Sequence, residues 1–377
     1  MTPTDAYLAL TLLPGIGPIR VRQLLTRFEQ PQNILTASTS ALQTIKGIGT
    51  EMAKLITHWQ DHVDLAEEHR RIADHDIDLI TLDHEDYPPS LREIHDSPFL
   101  LFVKGKLLER DRHAIAIVGA RRCTHYGTEA ARKLSYQLAF AGLTIISGLA
   151  RGIDTAAHEA ALAAQGRTIA VLGSGIGNIY PPENAALADR IAQSGAVISE
   201  FPVLYVPDKQ SFPLRNRIVS GMSFGILVAE APARSGSLIT ANQALDQGRN
   251  VYAVPGPIDR PTSVGCNRLI QQGATLVTDA SDILEEREML FSEDQLELTN
   301  NLFSSETQSP PTVGKLSTTL DDTEKTVYEA LESSETQIDI IIQRTKLPSA
   351  TVSATLLRLE MKKLAKQLPG KQFVKLT

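Results

Sequence analysis

Cysteine is nearly absent: only Cys123 and Cys266 occur in 377 residues. Two are too few for a disulfide framework, and neither has the clustered Cys or His spacing of a zinc site. Both are expected to be reduced, structural thiols, and no metal or cofactor is expected. No run of about 18 apolar residues occurs, so no membrane-spanning helix and no membrane partner are expected. The first ten residues carry Asp5 and no basic stretch ahead of their apolar side chains, unlike a secretory signal, which makes the cytoplasm the expected location. Positive charge is also scarce, with 37 Lys and Arg against 44 Asp and Glu and a net charge of −7. A protein that coats duplex DNA through a diffuse basic surface must neutralise many phosphates, so that mode is excluded and any nucleic-acid site must be local. What is present, 42% hydrophobic and 21% charged residues, is the balance of a globular chain with room for about two or three domains.

The charge is unevenly placed. Residues 1–112 hold 12 basic and 17 acidic side chains, whereas residues 113–290 hold 15 of each, and 13 of those 15 bases are Arg. Arg presents a planar fork of donors that suits phosphate better than a Lys point charge. This middle segment alternates short β-branched runs (114–118, 143–146, 168–172, 196–199, 225–229, 250–254 and 274–277) with helix-length stretches such as 127–141 and 153–164. Such a βαβ series predicts an α/β fold, a doubly wound and mostly parallel sheet whose ligand site lies at the carboxyl ends of the strands. Before it, the strings Leu13-Pro14-Gly15-Ile16-Gly17 and Ile45-Lys46-Gly47-Ile48-Gly49 each precede a helix and pair as tandem helix-hairpin-helix units. A Gly-rich hairpin of this kind can aim backbone N–H groups at a phosphate. The acidic balance of the segment favours a packing module instead. After it, residues 291–320 lose periodicity and include Ser309-Pro310-Pro311, the composition of a flexible linker. Residues 321–377 then give helix, helix, turn, helix and strand, a winged-helix pattern. Its expected recognition helix offers Ser349, Thr351, Ser353, Thr355 and Arg358, a set poor in bidentate base readers. The expected domains are thus 1–75 (helix-hairpin-helix, SAM-like), 80–290 (the sheet domain), the 291–320 linker and 321–377 (winged helix).

The strand-end loops repeat one chemistry. The first strand ends Val118-Gly119-Ala120-Arg121-Arg122, where Gly119 permits close backbone approach and Arg121 supplies a charged fork. The second ends Ser147-Gly148-Leu149-Ala150-Arg151-Gly152-Ile153-Asp154, followed by His158. Asp154 and His158 are four apart, a spacing open to a metal pair, but a helix N-cap and a packed histidine are the expected roles. The third loop contains Gly173, Gly175 and Gly177, but Gly177 lies four places after Gly173 and Pro181-Pro182 block early helix growth, so it is not a dinucleotide fingerprint. Farther on, Phe212-Pro213-Leu214-Arg215-Asn216-Arg217 opens a helix and crowds Arg215, Asn216 and Arg217 at its N-terminal end. Surface ion pairs remain open for those arginines. In Glu230-Ala231-Pro232-Ala233-Arg234-Ser235-Gly236-Ser237, Ser235 or Ser237 can cap a helix that includes Thr240 while leaving its amides, with that of Gly236, open to an anion.

Read in order, VGARR, SGLARGID, YPPEN, FPLRNRI, EAPARSGSLIT and AVPG (253–256) resemble the DNA-processing protein A family, DprA or Smf, across residues 85–285. The upstream strings Asp86-Tyr87-Pro88-Pro89 and Ser97-Pro98-Phe99 are similar to the entry of that family's extended Rossmann domain. The resemblance implies a non-enzymatic protein that binds single-stranded DNA in a positive pocket, forms a homodimer, and protects and delivers incoming DNA to a RecA-type recombinase during natural transformation. It also implies that the family's phosphate-pocket arginine falls on Arg121 and its helix-end arginines on Arg215 and Arg217. Two departures stand out: Pro182 where several relatives carry a basic residue, and Ala120 where Ser is common. The second departure removes a hydroxyl but is expected to leave backbone amides available. An enzyme of the same broad fold, with Glu230 or Asp154 acting on a bound ribose, is the alternative. Against it, Pro255-Gly256-Pro257-Ile258 lacks the glycines of a nucleotide cradle.

Overall fold

The computed structural model describes residues 1–290 and, in the C-terminal part, 322–332, 334, 336–348, 351, 352, 355, 356, 359, 364–368 and 372–375. Two compact units are present, Met1–Thr299 and Asn300–Thr377. In the first unit the chain opens with helices α1 (Pro3–Leu12), α2 (Pro18–Phe28), α3 (Pro31–Thr36), α4 (Thr39–Leu42), α5 (Thr50–Thr57) and α6 (Leu65–Asp74). Local chemistry sets their ends. Thr2 and Asp5 form a reciprocal capping box at α1, Pro18 stands at the first position of α2, where its missing N–H is no loss, and Asp64 caps α6. Gly15, at φ +77°, makes the turn between α1 and α2 in the left-handed region open to glycine.

The sheet has nine strands in the order β1-β2-β6-β5-β4-β3-β7-β8-β9. These are β1 (Asp78–Thr81), β2 (Leu100–Gly105), β3 (Ala114–Val118), β4 (Thr144–Ser147), β5 (Thr168–Val171), β6 (Ala196–Ser199), β7 (Gly225–Val228), β8 (Asn250–Ala253) and β9 (Thr275–Leu276). Strands β3 to β9 pair in parallel, while β1 and β2 add an antiparallel edge next to β6. The helices between them are α7 (Pro89–Arg92), α8 (His125–Phe140), α9 (Ile153–Ala163), α10 (Ala185–Ser194), α11 (Ser211–Gly221), α12 (Gly236–Asp246) and α13 (Val264–Gln271), and α14 (Ser281–Leu290) follows β9. Because β4 lies on one side of β3 and β7 on the other, the strand order reverses between β3 and β7, the crevice where an open α/β sheet takes its ligand. The βαβ reading of residues 113–290 therefore holds, and the two antiparallel edge strands are additions to it.

The N-terminal helices are not a separate core. Tyr7, Leu10, Leu24, Ile34 and Ile56 belong to one buried apolar cluster with Phe102 of β2, Leu172, Ile191 of α10 and Val197 of β6. Polar ties reinforce it: the Tyr7 hydroxyl donates to Asp83 at 2.9 Å, and buried Glu68 accepts from the Val203 amide at 2.7 Å. Elsewhere in the unit Arg167, 5% exposed, is held by both carboxylate oxygens of Asp111 at 2.6 and 2.8 Å and by the backbone carbonyls of Ser194 and Lys106, while the Thr144 hydroxyl donates to Asp111 at 2.9 Å.

In the second unit, helices Asp322–Ala330 and Ile338–Thr345 accompany a three-stranded sheet of β10 (Thr336–Gln337), β12 (Gln372–Lys375) and β11 (Ala365–Leu368), in that order. Val327, Ile341, Val352, Leu356, Leu359 and Phe373 form its core. This is the expected winged-helix arrangement, with one correction: Thr355, counted among the side chains that the expected recognition helix offers, is 3% exposed and packs inward. Ser349, Ser353, Arg358 and the 291–320 linker lie outside the described residues. Among the described residues no helix is long and apolar enough to cross a membrane.

Candidate nucleic-acid interface

The loops after β3, β4 and β7 and the N-terminal turns of α11 and α12 converge on a cleft of about 530 Å3 at the carboxyl ends of the strands. Five cationic side chains line it (Arg121, Arg122, Lys209, Arg215 and Arg234) against the single carboxylate of Asp154. Arg121, Arg122, Lys209 and Arg234 are exposed. Among the described residues no carboxylate lies within ion-pair distance of any of these four. Five like charges against one buried carboxylate hold a positive potential, which an anionic ligand relieves. The chain's overall acidity is therefore compatible with a strongly basic cleft.

Arg215 differs from those four. It is 4% exposed, and its Nη1 donates to the carbonyl oxygens of Gly148 and Val171, its Nε to Asn216 at 3.1 Å. It thereby ties the ends of β4 and β5 to α11 and forms the cleft floor. Burial pulls its guanidinium down to about 10, with Asp154 opposing and Arg121 adding to the shift, so it stays charged at neutral pH. Asp154 accepts from the Gly148 and Ala150 amides at 3.1 and 3.2 Å. Burial raises its carboxyl above the usual range against the pull of Arg215. It is not the N-cap of α9, as expected from spacing; that position is Gly152, at φ +79°. His158 is the packed histidine expected, fully buried with Nδ1 2.7 Å from Thr168 Oγ1, and burial lowers it to about 3. Among the described residues no group of three or more His, Cys, Asp and Glu could hold a metal ion.

Of the residues singled out from sequence, Gly119, Arg121, Gly148, Arg215, Asn216, Ser235, Gly236 and Thr240 line this cleft. Ser235 caps α12, accepting from the Ser237 amide at 3.3 Å, and Gly236 faces open space. Thr240 is 2% exposed, so only an edge of it reaches the cleft. Arg151 stands at the rim beside Tyr180, paired with Glu183. The others do not join the site. Ser147 is buried and donates to the Ile117 carbonyl at 2.6 Å. Gly152 lets α9 approach the carbonyl of Ala120, Gly173 lies against Phe212, and Gly175 against the carbonyls of Pro202 and Val203; all three serve close packing of the loops. Arg217, 3% exposed, turns to the opposite side of α11, paired with Glu200 and 3.3 Å from Asp96. The Ala120 amide is also taken, donating to the Glu230 carbonyl at 2.8 Å, so it is not available to an anion. Glu230 in turn accepts from the Thr124 amide and hydroxyl at 2.9 and 3.1 Å.

The cleft also has an aromatic part, which the charge and glycine pattern of the loops does not reveal. Arg121 lies over the Phe212 ring, 4.9 Å from its centroid, and Tyr180 packs at 5.9 Å from the same ring. Phe212 stands immediately before the helix-opening Pro213 and could have been found from that position. Lys209 and Tyr180 carry no local signal, because they meet the cleft only through folded loops.

The family model described as DNA recombination-mediator protein A matches residues 78–288. The chain belongs to this family. Flanking matches are a SAM-like helix-hairpin-helix tandem over residues 7–57 and a DprA winged helix domain over residues 309–371. Protein Smf of Synechocystis sp. is 35% identical over 97% of both chains. DNA processing protein DprA of Streptococcus pneumoniae is 48% identical over 54% of this chain and 71% of its own. The X-ray structure of the pneumococcal protein superposes with a TM-score of 0.67 at 36% identity, covering 76% of this chain and 98% of that one. DNA processing protein A from Helicobacter pylori, solved for its single-stranded DNA binding mode, superposes with a TM-score of 0.51 at 29% identity over 57% of this chain and 97% of that one.

Proposed function

We propose that this recombination-mediator family member binds single-stranded DNA across the strand-end cleft, protects it, and hands it to a RecA-type recombinase, without catalysing a reaction of its own. The observation that carries this reading is the set of four exposed, unpaired cations around a cleft that also presents Phe212, with Tyr180 packed against that ring at the rim. Phosphates need the cations and the open first turn of α12; bases, which all have a π face, need the rings. Single-strand binding by the Helicobacter pylori relative supports the same choice of ligand. Both carboxylates considered for work on a ribose, Asp154 and Glu230, are engaged in holding loop backbone, which favours binding over turnover. A homodimer, by doubling the cleft, lengthens the footprint on one strand. Titration of fluorescent dT oligonucleotides at low and high salt, against a duplex of equal length, tests the proposal. Preferential single-strand binding that weakens with salt is expected, and absence of single-strand binding at low salt refutes it. Stimulation of recombinase filament formation on DNA coated with single-strand-binding protein tests the hand-over.

A further inference from the structure

A second cleft, of about 550 Å3, opens on the same edge of the sheet on the far side of α11. One wall is the chain after β6, with residues 98–100 leading into β2; the other is the first N-terminal hairpin, residues 13–17. Within it Phe201 and Tyr205 stack with centroids 4.5 Å and planes 13° apart. Arg217 reaches it from the floor. Its side chain is 4% exposed and bound to Glu200, yet its Nη1 has no hydrogen-bond partner. The hairpin contributes the start of the 11-residue helix α2, whose N-cap Gly17 makes no side-chain cap and faces open space. Leu214, 47% exposed on the first turns of α11, stands between the two clefts.

The two clefts are complementary. The first is rich in unpaired cations, the second in aromatic and apolar surface, with Arg20 as its exposed cation. A bound single strand uses both kinds of surface, phosphates on cations and bases on rings. We propose that a strand leaving the first cleft crosses α11 at Leu214 and stacks its next bases against Phe201 and Tyr205, so that the N-terminal helices form one wall of a longer DNA path. The inference rests on the reading of the first cleft as a single-strand site. It also gives the first hairpin a role: its open helix end meets the same strand's backbone.

Oligo-dT of about 4 to about 16 nucleotides, the range of such site sizes, tests this in the full chain. Wild-type affinity should step up once the oligonucleotide is long enough to pass α11. Tyr205→Ala and Leu214→Glu should match wild type on the shortest strands and lose roughly tenfold on the long ones, in line with base stacking on one ring. Leu214 is exposed, so its variant reports even if the Tyr205 variant folds poorly. A 2-aminopurine placed near the end of a long strand should be quenched by wild type and not by either variant. Equal affinity of wild type and both variants at every length, or an equal loss at every length, overturns the inference. If Arg121→Ala weakens binding while the second-cleft variants do not, the first-cleft reading stands alone. If wild type binds no strand of any length, both fall.

Discussion

Replacing Arg121 with Ala separates phosphate binding from folding more cleanly than any other change in the cleft. Its guanidinium is exposed, forms no ion pair among the described residues, and lies over the Phe212 ring, 4.9 Å from its centroid. Surface substitutions of this kind shift stability by about 0.5 kcal/mol or less, so the melting temperature should not move. Binding should. A charge-assisted contact is worth about 1.5–3 kcal/mol, so a loss on the order of 30-fold is expected at low salt. The salt dependence gives a second, independent magnitude. On single strands each neutralised phosphate contributes a slope of about −0.7 in log affinity against log salt. Four exposed cations give about −2.8, a weakening of roughly 50-fold for a fourfold rise in salt. Without Arg121 the slope should fall to about −2.1 and the weakening to roughly 20-fold. Fluorescence anisotropy with labelled dT at several salt concentrations measures both. An Arg121→Ala protein with the wild-type slope refutes a phosphate contact at this residue, and one with a lowered melting temperature refutes its description as a free cation.

Arg215→Ala should behave differently, costing about 3–5 kcal/mol of stability because the carbonyls of Gly148 and Val171 lose their buried donor and buried Asp154 loses the positive charge near it; an unchanged thermal melt contradicts that placement. Arg167→Ala should destabilise by a similar amount through loss of the buried Asp111 pair, yet leave DNA affinity per folded molecule intact in the same anisotropy titration. His158 gives a pH signature: its folded value is depressed to about 3 from about 6.5 in the unfolded chain. Its contribution is complete above the unfolded value and is lost as pH falls toward the folded one, by about 2–3 kcal/mol at a pH two units below 6.5. Denaturant midpoints should fall across that window for wild type and fall less for His158→Gln.

The contrast between Arg215 and Arg217 shows how far a sequence carries the site. Residues two apart on a helix point about 200° away from each other, so both could not face one cleft. Helical geometry alone therefore forbids the crowding expected for that pair, yet it does not say which arginine faces the strand ends. Glu200 and Asp96, remote in sequence, settle it by pairing with Arg217. The glycines divide in the same way. Gly236 faces open space on the ligand side and Gly119 lines the cleft while packing against Ile153 and the Glu230 carbonyl, whereas Gly152, Gly173 and Gly175 serve loop packing alone, because a glycine in a strand-end loop answers to close approach of any kind.

Chain direction and periodicity determined the parallel sheet, its carboxyl-end edge and the loops on it, since strands that repeat through helical crossovers must all point the same way and leave their ends together. The capped start of α12 was legible for the same reason: Ser235 acts within its own turn. Only the tertiary structure decided which charges remain unpaired, which aromatic rings meet, and that the N-terminal hairpin faces a second cleft. Those outcomes depend on side chains brought together from distant parts of the chain, and no local pattern encodes the distance between them.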